Sequence, residues 1–379
     1  MAGLEPASDH TGKAAAASPL KRGWTTGACA TAATKAALTA WLTGEFPDPV
    51  QIRLPKGQTP SFPLAHEKLT VDAACACIIK DAGDDPDVTH GATIRSVVKP
   101  GAPGSGLTFK AGAGVGTVTK AGLPVPVGEP AINPVPRQMM ADVALELCRK
   151  HGVPTDFEIE IGVDGGEELA LKTWNGRLGI VGGLSILGTT GIVQPFSCSA
   201  WIHSIHRGVD VARAAKLPHI LAATGSTSEA AALALYKLPE HATIDMGDFA
   251  GGLLKYLRAH PVPKITIAGG FAKLTKLAQG AMDLHSSRSQ VDFEFLAGTQ
   301  TIAEKRLSQL ALGANTAMEV LQIAQAQDVG QALASEIAQL AQANAFRIAQ
   351  SRDGDSEIAV EIIVTDRAGN ILAQTGFGE

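Results

Sequence analysis

The spacing of apolar and polar positions divides the chain into two textures. Over residues 28–42 the apolar positions recur at helical spacing. Ala28, Ala32, Ala33 and Ala36 form a small-residue face there, and Thr25 or Thr26 supplies the N-cap. Residues 50–54 and 64–79 read as strands around a turn at 58–63. Further strands are expected at 93–98 and 107–110. Asn133 and Pro134 stand as cap and first-turn residues of a helix over 137–150, and 157–163 is again a strand. The first half reads as an α+β domain.

After residue 195 the period changes. A helix over 199–216 is followed by a strand at 219–224, a helix to 238, a strand at 241–246, a helix at 249–259, a strand at 264–268 and another helix. This βαβαβα order is that of a doubly wound parallel sheet. Residues 291–350 are Ala-rich and helical, and 357–374 form a closing hairpin that turns near Ala368 and Gly369. The fold class is therefore two-domain, α+β followed by Rossmann-like α/β. The expected organisation is a disordered tail at 1–20, an α+β domain at 21–195 ending in a glycine-rich crossover, and the Rossmann-like domain at 196–379. A chain of 379 residues is long enough for two cores.

Composition narrows the function. The net charge of −5 offers no global basic field for nucleic acid or an anionic membrane, and the aromatic content of 4% is poor for a base-stacking surface. No window approaches the ~20 apolar residues that span a bilayer, and the AAAAS run lacks the large apolar residues of a signal peptide. A cytoplasmic protein is expected. Cys29, Cys75, Cys77, Cys148 and Cys198 are odd in number and form no C-x-x-C pair, which argues for reduced thiols. Cys75 and Cys77 point to one face of a strand. His203 and His206 share a helix face without a third ligand, so no metal site is expected.

Candidate chemistry concentrates in residues 165–195, GGEELALKTWNGRLGIVGGLSILGTTGIVQP. Five glycines crowd its second half. Such a run serves either close backbone packing at a crossover or close approach to a ligand. Thr25 and Thr26 precede a helix N-terminus, which is either a plain cap or an anion cradle. The acidic loop at 80–90 lacks the order of a calcium-binding hand and reads as an Asx-type turn, or as a loop with one carboxylate toward a substrate. Gly112, Gly114 and Gly116 follow a strand, but a proline-rich extended segment succeeds them, which excludes a dinucleotide fingerprint there. Arg137 near a helix start opposes the dipole unless an anion lies there, so Asn133 and Arg137 point to a carboxylate ligand. The ATGST turn at 223–227 opens a helix, and Asp245 follows Gly225 at the distance where a carboxylate meets a ribose.

These blocks in this order resemble the CbiD family, the cobalt-precorrin-5B (C1)-methyltransferases of cobalamin biosynthesis. The resemblance is carried by RGWTTGACATAATKAA (22–37), KDAGDDPDVTHG (80–91), GAGVGTVTKAGL (112–123), GEPAINPVPRQM (128–139), EELALKTWNGRLGIVGGLSILGTTGIVQPFS (167–197), MGDFAGGLLK (246–255) and AGGFAKLTKLAQGAMDLHSS (268–287). It extends only loosely beyond 291. It implies methyl transfer from S-adenosylmethionine to C1 of a tetrapyrrole, giving cobalt-precorrin-6A. It also implies an α+β domain paired with a Rossmann-like one.

Chemistry then assigns the residues. The methyl donor would lie against Thr224, Gly225 and Asp245, with Gly188, Thr189, Thr190 and Gly191 at its methionine end. The carboxylate arms of the macrocycle call for cations and helix N-termini. Lys35, Lys120, Arg137, Lys172, Arg177, Lys273 and Lys276 supply the charge, while Thr25, Thr26, Asn133 and Asn175 supply polar contacts. Asp84, Asp85, Glu129 and His285 are candidates for a general base. A nucleotide-dependent oxidoreductase and a non-catalytic tetrapyrrole carrier remain as alternatives. The sequence is compatible with a homo-oligomer.

Overall fold

The first helix, α1 (Thr26–Thr43), starts where Thr25 Oγ1 accepts from the Ala28 N–H at 3.1 Å and stops at Gly44 in the left-handed conformation. The computed structural model describes residues 20–350 and 358–378. The expected tail at 1–20 thus lies outside the described residues except for Leu20. The alanine face of α1 lets it sit close on a five-stranded sheet of β1 (His66–Leu69), β2 (Ala74–Ile79), β3 (Thr93–Pro100), β4 (Leu107–Ala111) and β5 (Phe157–Val163). The order is β1-β2-β3-β5-β4, antiparallel except for the β4–β5 pair. Ala74, Ala76, Ile78, Ile94, Val98, Ile159 and Ile161 form its buried side with α1 and α2 (Pro134–His151). The Thr34 and Ser96 hydroxyls, both fully buried, pair at 2.9 Å beneath α1.

Residues 64–79 are a correction to the sequence expectation of one strand. They form the β1–β2 hairpin instead. Thr70 takes the N–H of Ala73 on its hydroxyl and donates its own N–H to the Ala73 carbonyl, and this reversal leaves Val71 90% exposed at the tip. The other side of the sheet carries ion pairs, Arg95 with Asp164, Lys99 with Glu160 and Lys110 with Glu158. Cys75 and Cys77 lie on that side, with Cys77 opposite both His66 and Arg95.

The second half holds α3 (Cys198–Ala214), β6 (His219–Ala223), α4 (Ser226–Tyr236), β7 (Thr243–Asp245), α5 (Ala250–Ala259), β8 (Lys264–Gly270), α6 (Phe271–Ala278), α7 (Gly330–Ala349), β9 (Ala359–Thr365) and β10 (Ile371–Gln374). The expected strand at 241–246 is shorter, because Glu240–Ala242 makes a 3-10 turn first. The sheet order is β7-β6-β8-β9-β10, parallel through β9 with β10 antiparallel. Ile220, Ala222, Ile265, Ile267, Val360 and Ile362 pack on one side with α3, α5, α6 and α7. Leu221, Ala223, Ala268 and Ile363 meet Ala232 of α4 on the other. Glu361 on that second side is fully buried, and its carboxylate accepts from Tyr236, Thr266 and Gln374.

The crossover between the halves is stitched to the first. Ile180–Val181 pairs with Thr117–Val118, and Ile192–Val193 with Gly23–Trp24. Here backbone packs on backbone: a Cβ on Gly183 would stand 2.4 Å from the carbonyl carbon of Gly114, and one on Gly166 2.2 Å from its oxygen. The G-x-G-x-G segment is thus a packing device, in keeping with its lack of a following helix.

Two outcomes follow from this packing. Gly183→Ala is expected to lower stability by at least ~3 kcal/mol in urea unfolding, since backbone must move. Gly182→Ala, which has open space but a φ of 87°, should cost only about 1 kcal/mol. The thiol pair gives a chemical outcome. A hydrogen bond from Cys75, helped by Arg95, outweighs burial and pulls the Cys77 thiol below its usual range; the same bond pushes Cys75 up. Cys75→Ala removes that bond and should slow alkylation of Cys77 by iodoacetamide at neutral pH, read by peptide mapping.

Candidate functional site

The strand order of the second sheet reverses direction at β6, with β7 on one side and β8 on the other. Helices leaving such adjacent strands on opposite faces open a crevice at their carboxyl ends. Polar groups collect there. Thr224 follows β6, Asp245 ends β7, Asp248 follows it, and Lys273 lies in the first turn of α6. Lys273 Nζ donates to the Thr224 carbonyl at 2.9 Å and stands 3.0 Å from Asp248 Oδ1. That buried oxygen has this ion pair as its one polar partner among the described residues. Burial, with the Glu229 carboxylate nearby, raises the Asp245 pKa.

The loop after α6 folds back over this edge. Leu284 donates its N–H to Asp248 O, and its carbonyl accepts from the buried Lys276 ammonium at 2.9 Å. His285 is thereby held at the strand ends, exposed, with Nδ1 2.7 Å from Ser287 Oγ. Arg288 pairs with Asp283 and donates to Cys198 Sγ at the start of α3. Two residues earlier, the Phe196 N–H donates to Asp85 Oδ1 at 2.8 Å. A continuous line of contacts thus runs from the acidic loop of the first half to the strand ends of the second.

Several expected site residues have other work. Thr25 and Thr26 do not cradle a free anion: the Gly27 N–H is taken by Leu187 O, the Ala28 N–H by Thr25 itself, and Thr26 Oγ1 by Leu187. Gly188 packs on Thr25 and Gly191 on Leu54, where their own Cβ atoms would clash, and Gly191 O accepts from Thr25. The recorded bonds and close approaches of residues 187–191 therefore go to the first half, away from Thr224 and Gly225. Thr189 is exposed, and Thr190 bonds to Ile192. Arg137 is occupied by Glu129 and by the carbonyls of Ile132 and Pro130, so its own loop is the anion near the helix start. Asn133 caps α2 by position, with its side chain making no cap hydrogen bond. Asn175 is buried and donates to Gly183 O. Arg177 forms a bidentate pair with Glu229 at 2.7 and 2.9 Å, tying the crossover to the first turn of α4.

Lys276 is a strut, and burial lowers its pKa. Lys35, Lys120 and Lys172 carry no ion pair among the described residues; Lys172 is exposed, and the Lys120 stem lies on Gly179. Asp84 accepts the Lys21 N–H at 2.6 Å. Sequence reasoning missed Glu229, Asp248 and Trp201. Trp201 donates from Nε1 to Asp245 O and meets Trp174 edge-on. The place of Glu229 in the first turn of a helix after a glycine turn was the available signal.

Two further features frame the site. A depression of about 560 Å³ lined by Gly122, Asp210, Arg213, Lys216 and Pro261 lies at the amino ends of the parallel strands, opposite the polar crevice. Under the acidic loop, Lys80 is 1% exposed and bonds Asp87 Oδ2 at 2.6 Å. No group of three or more metal-ligating side chains is present among the described residues, and no helix there is long and apolar enough to cross a membrane.

An antiparallel-rich sheet and a parallel one, with polar groups gathered at the parallel strand ends, define a mixed α/β protein. Comparison with known proteins makes the class specific. The sequence profile described as CbiD matches residues 13–195, and that described as CbiD, C-terminal domain, matches 283–376. A protein of Brucella anthropi named cobalt-precorrin-5B C(1)-methyltransferase is 63% identical over 369 residues, covering 96% of this chain and 98% of its own. One of Brucella canis with the same name is 63% identical over 361 residues, covering 94% and 95%. A crystal structure of a cobalamin biosynthesis protein (cbiD) from Archaeoglobus fulgidus aligns with 71% of this chain and 83% of its own, at 29% identity and a TM-score of 0.39. The chain belongs to the CbiD family.

Removing the partner of the buried Lys80 tests the acidic loop. Asp87→Ala should destabilise the protein by about 3 kcal/mol in denaturant unfolding, because an ammonium is left buried. Burial alone would raise the Asp87 carboxyl pKa, but the hydrogen bonds from Lys80 and Thr89 hold it below the usual range. Its stabilisation is therefore full above the ordinary carboxylate pKa and is lost as pH falls through the lowered value. The variant should lack that acid-side loss.

Proposed function

We propose that this protein transfers a methyl group from S-adenosylmethionine to C1 of cobalt-precorrin-5B, giving cobalt-precorrin-6A, in the cytoplasmic assembly of the corrin ring. The observation that carries this is the 63% identity, over 96% of the chain, to a protein of that name. We also propose that residues 21–195 and 196–379 are its two domains, the second Rossmann-like. Their separate apolar cores and the β7-β6-β8-β9 parallel order support the division.

The donor site is the strand-end crevice. Its residues fit a ligand that carries a sulfonium, an amine and ribose hydroxyls. Asp245 and Glu229 offer carboxylates, Asp248 is held beside them by Lys273, and Gly225 and Gly270 leave open space where side chains would project. Asp245 or Glu229 would hold the ribose, and Thr224 would close the turn beside it. Bound there, S-adenosylmethionine supplies an already activated methyl group. The protein's task is then alignment, and positioning of that kind is worth ~7–11 kcal/mol. The Arg177–Glu229 pair fixes the crossover against α4 and so sets the spacing between donor crevice and first domain.

The macrocycle lies along the line from Asp85 to His285. Lys35, Lys120 and Lys172, which carry no ion pair among the described residues, are cations that its carboxylate arms would recruit, with the Asn133 amide as a neutral partner. For proton removal, His285 is favoured over Asp84, Asp85 and Glu129. It is exposed beside the crevice, while the carboxylates already accept from backbone N–H groups or Arg137.

Incubation with both substrates should give a product heavier by one methylene and methylated at C1 by NMR. Tight NAD(P) binding without S-adenosylmethionine binding would favour an oxidoreductase instead. Asp245→Asn should weaken S-adenosylmethionine about tenfold in calorimetry. In the wild type, donor affinity should fall toward acid pH as the raised Asp245 carboxyl gains its proton. That limb should vanish in the variant.

A further inference from the structure

Phe196 stands where the crossover enters the second half, with its side chain 67% exposed. Its φ is 55°, a left-handed conformation that a bulky residue adopts only under constraint. The constraint is visible: Asp85, 111 residues upstream, accepts the Phe196 N–H at 2.8 Å. The chain is aromatic-poor at 4%, yet it places a second exposed aromatic, Trp201, five residues on. Trp201 is itself tied down, with Nε1 on the carbonyl of Asp245 at the donor crevice. Next to Phe196, Cys198 accepts from Arg288, whose partner Asp283 begins the loop that carries His285.

A ring that is both exposed and held in a disfavoured backbone contributes little to the core. What it offers is a flat apolar face at fixed orientation, between the acidic loop and the crevice. The ligand that face suits is a conjugated macrocycle, which presents a broad apolar ring surface with its charge confined to the rim. We propose that Phe196 is the platform on which the face of the tetrapyrrole stacks, with Asp85 as the positioning residue that holds it there. This rests on the methyltransferase reading and adds to it a residue that sets substrate orientation.

Three variants test it, using the full chain with cobalt-precorrin-5B and S-adenosylmethionine as separate ligands. Phe196→Asn keeps a residue that tolerates the left-handed backbone and removes the ring. Phe196→Gly removes the strain as well. Both should bind cobalt-precorrin-5B about tenfold more weakly, the scale of one lost stacking contact, with S-adenosylmethionine affinity unchanged. Their thermal midpoints should be unchanged, or a few degrees higher for the glycine. Phe196→Trp should recover most of the tetrapyrrole affinity. If the asparagine and glycine variants bind the tetrapyrrole as the wild type does, the platform is wrong. It is equally overturned if their midpoints fall and both ligands are lost together, since that marks a packing residue. A wild type that binds S-adenosylmethionine but no tetrapyrrole overturns the methyltransferase reading and the platform with it.

Discussion

Backbone laid directly on backbone is the constraint on which the first half depends. Gly114, Gly166 and Gly183 meet at distances that leave no room for a single methyl group. The contact brings the strand end after β4, the short helix after β5 and the crossover to one point. From there the chain can run on to cap α1 through Leu187 and Thr26, then pair Ile192–Val193 with Gly23–Trp24. Glycine weakens strands and helices on its own account. Its density in residues 165–195 is explained by this close approach more than by a ligand.

Charge is used in the same economical way. The chain is net acidic, and four of its seven candidate cations are engaged by its own atoms. Arg137 clamps the Glu129 loop, Arg177 joins the halves through Glu229, Lys273 spans Thr224 and Asp248, and Lys276 holds Leu284. The bonds of Arg177, Lys273 and Lys276 lie around the strand ends, while those of Arg137 stay within the first half. Lys35, Lys120 and Lys172 carry no ion pair among the described residues. The buried Asp248 Oδ1, ion-paired with Lys273 at 3.0 Å, and the raised Asp245 carboxyl mark a place where polar groups converge at the strand ends.

Much of the fold was legible because it rests on local chemistry. The Thr25 cap, the βαβ alternation after residue 195 and the closing hairpin each depend on residues close in sequence. Residues 64–79 read as one strand because the reversal at Thr70–Ala73 contains no glycine or proline to mark a turn. The site was less legible. Thr25, Thr26 and Arg137 have the residue types of anion binders, and only contacts with Leu187 and Glu129 show those positions filled. Asp85 looked like a catalytic carboxylate; its partner is a backbone N–H 111 residues away.

By itself the sequence determined the element types, the change of texture at residue 195 and the family, since each is written in composition, period or motif order. Tertiary structure alone decided the purpose of the glycines, which charges are spent internally, and which carboxylates reach the crevice. The physical reason is range. Capping and periodicity act over one or two turns of chain, whereas a close backbone approach or an ion pair joins residues that sequence separation cannot relate.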